Sequence, residues 1–514
     1  MVQTKSKDVW EFGDFQTPDT LASVAVNHLV SYDSNFRPRT IIEPTCGVGS
    51  FLVAAADTFP NADRVIGVEI KPRYMDILSH RITDRSDKNR FSLIKGDFFK
   101  TDWSALLANM PKPILIIGNP PWVTSSDIGR LHGSNLPQKS NFQNYSGLEA
   151  LTGKANFDIS EWMLLNHMDW LNDHAGCMAM LCKSAIARKI LRQAWKGRLA
   201  TVDSQIVKID AMEYFGASVD ACFFILGTNR EITSTDCRYF DSFEHDEPSQ
   251  VFGYHEGIML SDVPKFYTHY DLLGSDPNYT WRSGMKHDCS RVMELKIAEN
   301  SLQNGYGEYV NIEDVYVYPL LKSSDLGNGR TTETRLKVIV TQEQIGDPTE
   351  PIKYEAPATW DYLDSHGDAL DRRRSVIYRE KPRFSVFGIG PYSFTNWKVA
   401  ISGFYKRLDF QVVGPICNRP VIFDDTIYFL SAACEEEARF LIDILKSSIA
   451  QDFLSSMVFW SDKRPITVDL LKRLHIGRLA QRLGRQDEYT AFTIERTSAG
   501  LFAQIKKQVT SATK

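Results

Sequence analysis

Over roughly the first 230 residues, short runs that are apolar at nearly every position alternate with stretches whose apolar residues recur every three or four. Continuous apolar runs fit strands covered on both faces, and the intervening rhythm fits helices; together they are the pattern of a doubly wound α/β sheet. Strands are predicted at 40–42, 64–68, 91–94, 114–117, 177–181, 205–209 and 221–226, with helices at 49–57 and 73–83 among the connections. Only a short segment, AMEYFGASVD, lies between the last two strands, too short for a helical crossover, so these two pair antiparallel. The expected fold is a mostly parallel, Rossmann-like seven-stranded sheet with an antiparallel end hairpin. From Tyr239 to Glu294 the chain is rich in Asp, Gly, Pro and Tyr and reads as an irregular connector. Beyond it lie aromatic and basic clusters and a helical rhythm over 435–459, expected to form a mixed α+β domain. The predicted division is 1–238, 239–299 and 300–514.

Composition narrows this picture only slightly. No apolar stretch approaches the ~20 residues of a membrane span, and the N-terminus lacks a secretory signal. The eight cysteines are scattered without CxxC spacing, so no metal site is expected and a cytoplasmic location with reduced thiols fits. A net charge of −5 does not announce a nucleic-acid binder, but phosphate contacts need a local basic surface rather than a basic total.

The strongest chemical signal is the apolar run 114–117 leading into Gly118-Asn119-Pro120-Pro121-Trp122. Two prolines fix their own φ angles and push each preceding residue into extended geometry. The result is a stiff turn at the carboxyl end of a strand, where open α/β sheets place their ligands. The Asn119 amide oxygen and the Pro120 carbonyl offer two acceptors at fixed spacing, suited to the two hydrogens of an NH2 group. Trp122 offers a flat face on which a base can stack. A strand-ending turn stiffened by proline is the plainer alternative.

Three further strand ends carry matching features. Glu43-Pro44-Thr-Cys46-Gly47-Val-Gly49 is a strand-to-helix turn whose small residues admit a ligand close to the backbone. Glu43 would repel a pyrophosphate and suits the ammonium of an amino-acid ligand. Glu69 ends the second strand, as expected for a carboxylate gripping ribose hydroxyls. Asp97 and Phe98 follow the third, where an acid could accept from an adenine amino group and a ring could cover it. Each acid alone reads as a solvated strand end; the ordered set points to a ligand site.

These residues resemble the gamma-class amino-methyltransferases of bacterial restriction–modification systems. The resemblance implies S-adenosylmethionine (AdoMet) as cofactor and transfer of its methyl group to the N6 amino group of adenine in duplex DNA. Asp14-Phe15-Gln16-Thr17-Pro18 matches the opening element behind the cofactor's methionine end. Glu43, Cys46, Gly47 and Gly49 match the AdoMet loop, Glu69 the ribose acid, and Asp97 and Phe98 the adenine contacts. Asn119, Pro120, Pro121 and Trp122 match the catalytic tetrapeptide, with Asn119 also bordering the cofactor. Phe215 looks like the aromatic facing Trp122 across an extruded base, with a core aromatic of the hairpin an equal reading. Trp122 stands where Tyr or Phe is usual.

The resemblance also implies a C-terminal target-recognition domain, with Arg373, Arg374, Arg383, Lys398, Lys406, Arg407, Lys463 and Arg464 as candidate DNA contacts. Arg130 and Lys139 lie in a long polar segment, 123–156, that reads either as a DNA-contacting loop or as a surface insertion. Any cognate endonuclease would be a separate protein. The alternatives are cytosine N4 as target, an RNA or protein-glutamine substrate, and a non-catalytic DNA-binding subunit. Asn rather than Ser at position 119 favours adenine. A nicotinamide-dependent oxidoreductase would leave Asn119 to Trp122 unexplained.

Overall fold

Every predicted apolar run forms a strand in the computed structural model, which describes residues 15–123, 158–173, 175–197, 201–228, 234–299, 301–494 and 496. The chain divides into two compact units, Met1–Val263 and Pro264–Lys514.

The first unit is built on β1 (Thr40–Glu43), β2 (Arg64–Glu69), β3 (Phe91–Lys95), β4 (Ile114–Gly118), β5 (Gly176–Lys183), β6 (Thr201–Ile209) and β7 (Ala221–Thr228). To these it adds β8 (Asp236–Phe240), β9 (Gln250–His255) and β10 (Ile258–Leu260). The order across the sheet is β3-β2-β1-β4-β5-β7-β6-β8-β9-β10. β1 pairs parallel with β2 and with β4, so the strand order reverses at that junction. The carboxyl ends of β1, β2, β3 and β4 there bring Glu43, Glu69, Asp97 and Asn119 to one edge of the sheet, at its topological switch point. β7 runs antiparallel between β5 and β6, as the short 211–220 connection requires. That connection still holds one helical turn and a little more, Ala211–Phe215, closed by Gly216 in the left-handed region.

The segment expected to be an irregular connector adds strands to this sheet. β8 joins β6 in parallel, and β9 and β10 extend the edge antiparallel. These strands bury alternate or scattered positions, whereas β1 and β4 are buried at every residue. A search for continuous apolar runs passes over half-covered edge strands, because their side chains need cover on one face only. The sheet therefore has ten strands where seven were expected.

Helices cover the sheet through apolar stripes. In α1 (Asp19–Tyr32) the buried residues are Leu21, Ala22, Ala25, Val26 and Leu29, spaced at three and four. α2 (Ser50–Thr58) buries Phe51 and Leu52. α3 (Pro72–Thr83) buries only Leu78 and Ile82. Phe51 lies nearly parallel to Phe223 of β7, centroids 6.1 Å apart, which ties the helix to the sheet centre. Among the described residues no helix is long and apolar enough to cross a membrane.

The second unit is mixed α+β. A six-stranded sheet runs in the order β14 (Tyr309–Val310), β13 (Ser301–Gln303), β12 (Glu294–Ala298), β16 (Leu336–Ile339), β15 (Val317–Leu321), β19 (Ile422–Phe423). A four-stranded sheet runs β11 (Arg282–Ser283), β20 (Ile427–Ala432), β17 (Trp397–Ser402), β18 (Gln411–Val413). The rhythm over 435–459 resolves into two helices, Glu435–Leu445 and Ser448–Ser455, because the Ser447 hydroxyl caps the second.

Phe223→Ala is expected to destabilise the protein by about 3–5 kcal/mol, since a fully buried ring is removed from the sheet centre. Tyr309→Ala, at a ring 76% exposed, should change stability by no more than ~0.5 kcal/mol. Urea titrations followed by circular dichroism measure both.

Candidate active site

The turn after β1 is held by its neighbours through backbone groups. Cys46 N–H donates to the Val68 carbonyl (2.9 Å), and Gly47 N–H donates to Glu69 Oε2 (2.8 Å). Lys71 N–H donates to Glu69 Oε1 (2.8 Å), so this carboxylate links two turns through both oxygens. Gly47 and Gly49 adopt φ of +51° and +83°. A Cβ on Gly47 would sit 2.5 Å from Gln16 Oε1, and one on Gly49 would sit 2.3 Å from Leu78 Cδ1. Glycine is favoured at both, since any Cβ would strain the backbone and displace the Gln16 or Leu78 side chain. Gln16 completes the turn by accepting from Val48 N–H (3.1 Å).

Glu43 is buried and accepts the Leu52 N–H in the first turn of α2 (2.9 Å). Burial pushes its carboxyl well above the usual carboxylate range; the Leu52 bond opposes this and the nearby Glu69 charge adds to it. The Cys46 thiol is likewise raised by burial and by the two acids. Asp97 accepts from Phe99 N–H (3.0 Å) and faces Lys100 at 3.4 Å. Phe98 packs in an aromatic cluster with Trp103 (5.2 Å), Trp162 (5.9 Å) and Trp170 (6.0 Å). A cavity of about 40 Å³ is lined by Pro44, Thr45, Val68, Glu69, Ile70, Gly96, Asp97, Phe98, Phe99, Pro121 and Met163. Thus the ends of β1, β2, β3 and β4 share one concavity, with acids on its rim and rings on its wall.

Asn119 defines the adjoining end of the site. Its Nδ2 donates to the Phe15 carbonyl (3.0 Å) and to Thr17 Oγ1 (3.3 Å). A carbonyl can only accept, so this pairing fixes which end of the amide points where. The Asn119 Oδ1 is buried and has no hydrogen-bond partner among the described residues. A buried acceptor without a partner costs about 1–3 kcal/mol and asks for a donor. Phe15 and Thr17 of the opening element thus act on Asn119 directly; Asp14 lies outside the described residues.

Trp122 and Phe215 come together as the sequence suggested, but ring against ring. Their centroids are 5.2 Å apart at 75°, and Phe15 touches both at 5.8 and 6.0 Å. A base between two rings needs about 7 Å, twice a ~3.5 Å contact, so no ring fits between them in this arrangement. Trp122 is buried and its Nε1 donates to the Leu181 carbonyl (3.4 Å). Phe215 ends a five-residue helix and is only half-buried.

The basic candidates separate by environment. Lys398 is fully buried on β17 and its ammonium donates to the Thr395 carbonyl; burial lowers its pKa to about 7. It therefore cannot reach a phosphate here, and the expectation is corrected: a lysine inside the buried strand WKVAIS faces the core. Arg373 donates to the His287 and Ser385 carbonyls and lies 3.8 Å from the Tyr378 ring, a staple within the second unit. Arg383 pairs with Asp364 and Asp371, Arg407 with Asp409, and Arg464 covers the Phe404 ring. Arg374, Lys406 and Lys463 are exposed. Arg130 and Lys139 lie outside the described residues. The sequence reading also missed Lys183 and Asp158, joined beside Trp122, for which only their place at strand and helix ends gave a signal.

Comparison with known proteins bears on this geometry. The model of the N-6 DNA methylase family matches residues 3–315. The type II methyltransferase M.NspV of Nostoc sp. is 44% identical over 481 residues, covering 94% of this chain and 99% of that protein. The type II methyltransferase M.CvrRI of Paramecium bursaria Chlorella virus XZ-6E is 34% identical over 112 residues, 22% of this chain and 25% of that one. Among solved structures, the type IIL restriction-modification enzyme MmeI in complex with DNA aligns with a TM-score of 0.46 and 13% identity, over 88% of this chain and 64% of that chain.

Because the folded-state pKa of Glu43 is raised, ionising it opposes folding, and its effect on stability worsens as pH rises above its ordinary value near 4.5. Glu43→Gln keeps an acceptor for Leu52 N–H without the charge. In ligand-free protein it should match the wild type near pH 4.5 and melt at a higher temperature by pH 8. Thermal melts across that range test the sign.

Proposed function

The chain belongs to the N-6 DNA methylase family, and from that premise we propose that it methylates the N6 amino group of adenine in a specific duplex DNA sequence, using AdoMet, as the modification enzyme of a restriction–modification system. The single observation that carries this reading is the buried, unpaired Asn119 Oδ1, oriented by the Phe15 carbonyl at the end of β4.

The cofactor, when bound, supplies an electrophilic methyl group. The residues present fit it in chemistry: the acids Glu69 and Asp97 and the Phe98 ring line one small cavity at the switch point with Pro44 and Thr45, and Glu69 ties that lining to the Gly47 N–H. Glu69 would hold the ribose, Asp97 and Phe98 the adenine ring. Glu43, whose ionisation is costly in the free protein, gains from the α-ammonium of an amino acid. Phe15, Thr17 and Pro18 back that end.

At the reacting end, Asn119 Oδ1 and the Pro120 carbonyl accept the two hydrogens of the target amino group. Drawing on both makes the nitrogen more tetrahedral and frees its lone pair. Catalysis is orientation and polarisation, and the nitrogen loses its proton after its new bond has formed, so no strong general base is needed. The target adenine is rotated out of the duplex at a cost of a few kcal/mol. It enters as Phe215, on its short half-buried helix, yields to it, while Trp122 stays pinned by Leu181. The second unit is the target-recognition domain, with Arg374, Lys406 and Lys463 as its exposed cations.

Incubation with isotope-labelled AdoMet and unmethylated duplex DNA, followed by digestion to nucleosides, should place the label in N6-methyladenine. Label in N4-methylcytosine would overturn the target base. Asn119→Ala should lose ~10³-fold or more in rate, about 4 kcal/mol, while AdoMet affinity stays within a few-fold.

A further inference from the structure

The carboxyl end of β5 grips Trp122 twice. The Leu181 carbonyl accepts from the indole Nε1, and two residues on, the Lys183 ammonium reaches the Trp122 backbone carbonyl at 3.4 Å. The same ammonium donates to Asp158 Oδ2 at 2.5 Å. Asp158 is 8% exposed, and its other oxygen accepts from Ser160 N–H (3.0 Å) and Ser160 Oγ (2.6 Å) at the start of the helix Ile159–Asp173. Next to it, Ile159 N–H donates to the Val123 carbonyl (2.9 Å). The chain that leaves the catalytic turn at Val123 is therefore clamped where it returns at Asp158. One ammonium joins the clamp to the turn.

We propose that Lys183 is a positioning residue: its ammonium, charge-balanced by Asp158, fixes the Trp122 backbone so that the indole stands as the stationary wall of the base pocket. This rests on the reading of Trp122 as the surface against which the extruded base stacks. The physical case is the asymmetry of the pocket. Phe215 sits half-buried on a helix of five residues, whereas Trp122 is buried and tied at both indole and carbonyl. An ammonium has three donors, so it can serve a carboxylate and a carbonyl together. Methionine at this position would match its length but give up both bonds.

A lysine that merely neutralised Asp158 would be dispensable once the charge is removed with it. The test compares Lys183→Met, the neutral double variant Lys183→Met/Asp158→Asn, and Lys183→Arg, using the full-length enzyme. Turnover is measured on unmethylated phage DNA, with AdoMet affinity by equilibrium binding and thermal midpoint as controls. The expected result is a fall in kcat of about tenfold or more in both Lys183→Met backgrounds. AdoMet affinity should stay within about twofold, and Lys183→Arg should recover most of the rate. Wild-type kcat in the double variant would overturn the proposal, leaving Lys183 a simple counter-charge. An effect confined to KM for DNA would also overturn it, making Lys183 a phosphate contact. Loss of AdoMet binding in every variant would reduce it to a fold-maintaining ion pair. Trp122→Ala serves as the reference: wild-type kcat there would refute the base-stacking reading itself rather than the role of Lys183.

Discussion

A carbonyl oxygen accepts and never donates, and the orientation of Asn119 follows from that one fact. With its amide nitrogen committed to the Phe15 carbonyl and the Thr17 hydroxyl, its oxygen faces the other way, buried and unpaired. The free protein bears that desolvation cost because the rest of the fold fixes both partners. β4 is buried at every residue between β1 and β5, and two prolines stiffen the turn that follows it. On the proposed reading, an acceptor pre-aimed in this way would need no reorganisation when an amino group arrives, which is where an orientation-driven reaction gains most.

The second constraint is electrostatic. Two acids, Glu43 and Glu69, stand at neighbouring strand ends, and the Glu69 charge adds to the burial that makes Glu43 hard to ionise. Glu69 is relieved by two backbone N–H donors, Glu43 by one. On the proposed reading, Glu43 would take an incoming cation and Glu69 hydroxyl donors, the two demands that an amino acid joined to a nucleoside meets. Fold and chemistry share a cause: parallel strands whose order reverses between β1 and β4 leave a crevice at their carboxyl ends.

Much of this was legible in the sequence, for identifiable reasons. The seven central strands announce themselves because a strand covered on both faces must be apolar throughout, and their end residues then carry the chemistry. Asn119, Glu69 and the Gly47 turn lie together in space for that reason. What escaped detection depends on contacts far apart in the chain. β8 to β10 are half-covered, so their apolar signal is diluted by Asp, Gly and Pro. Lys183 meets Asp158 only through the fold, and nothing local separates it from any lysine at a strand end. The charge clusters misled in the opposite way. Lys398 looked like a phosphate contact because charge was counted without its setting, although the apolar run around it pointed to a buried strand; Arg373 and Arg383 are likewise bound to partners within their own unit.

The most direct test is the structure of the enzyme with a non-reactive AdoMet analogue and a duplex containing its target. The account predicts the extruded adenine with its N6 amino group within about 3.2 Å of Asn119 Oδ1, and Nδ2 still on the Phe15 carbonyl. An amide turned so that Nδ2 faces the base, or a bound target whose amino group makes no contact with Asn119, would contradict it.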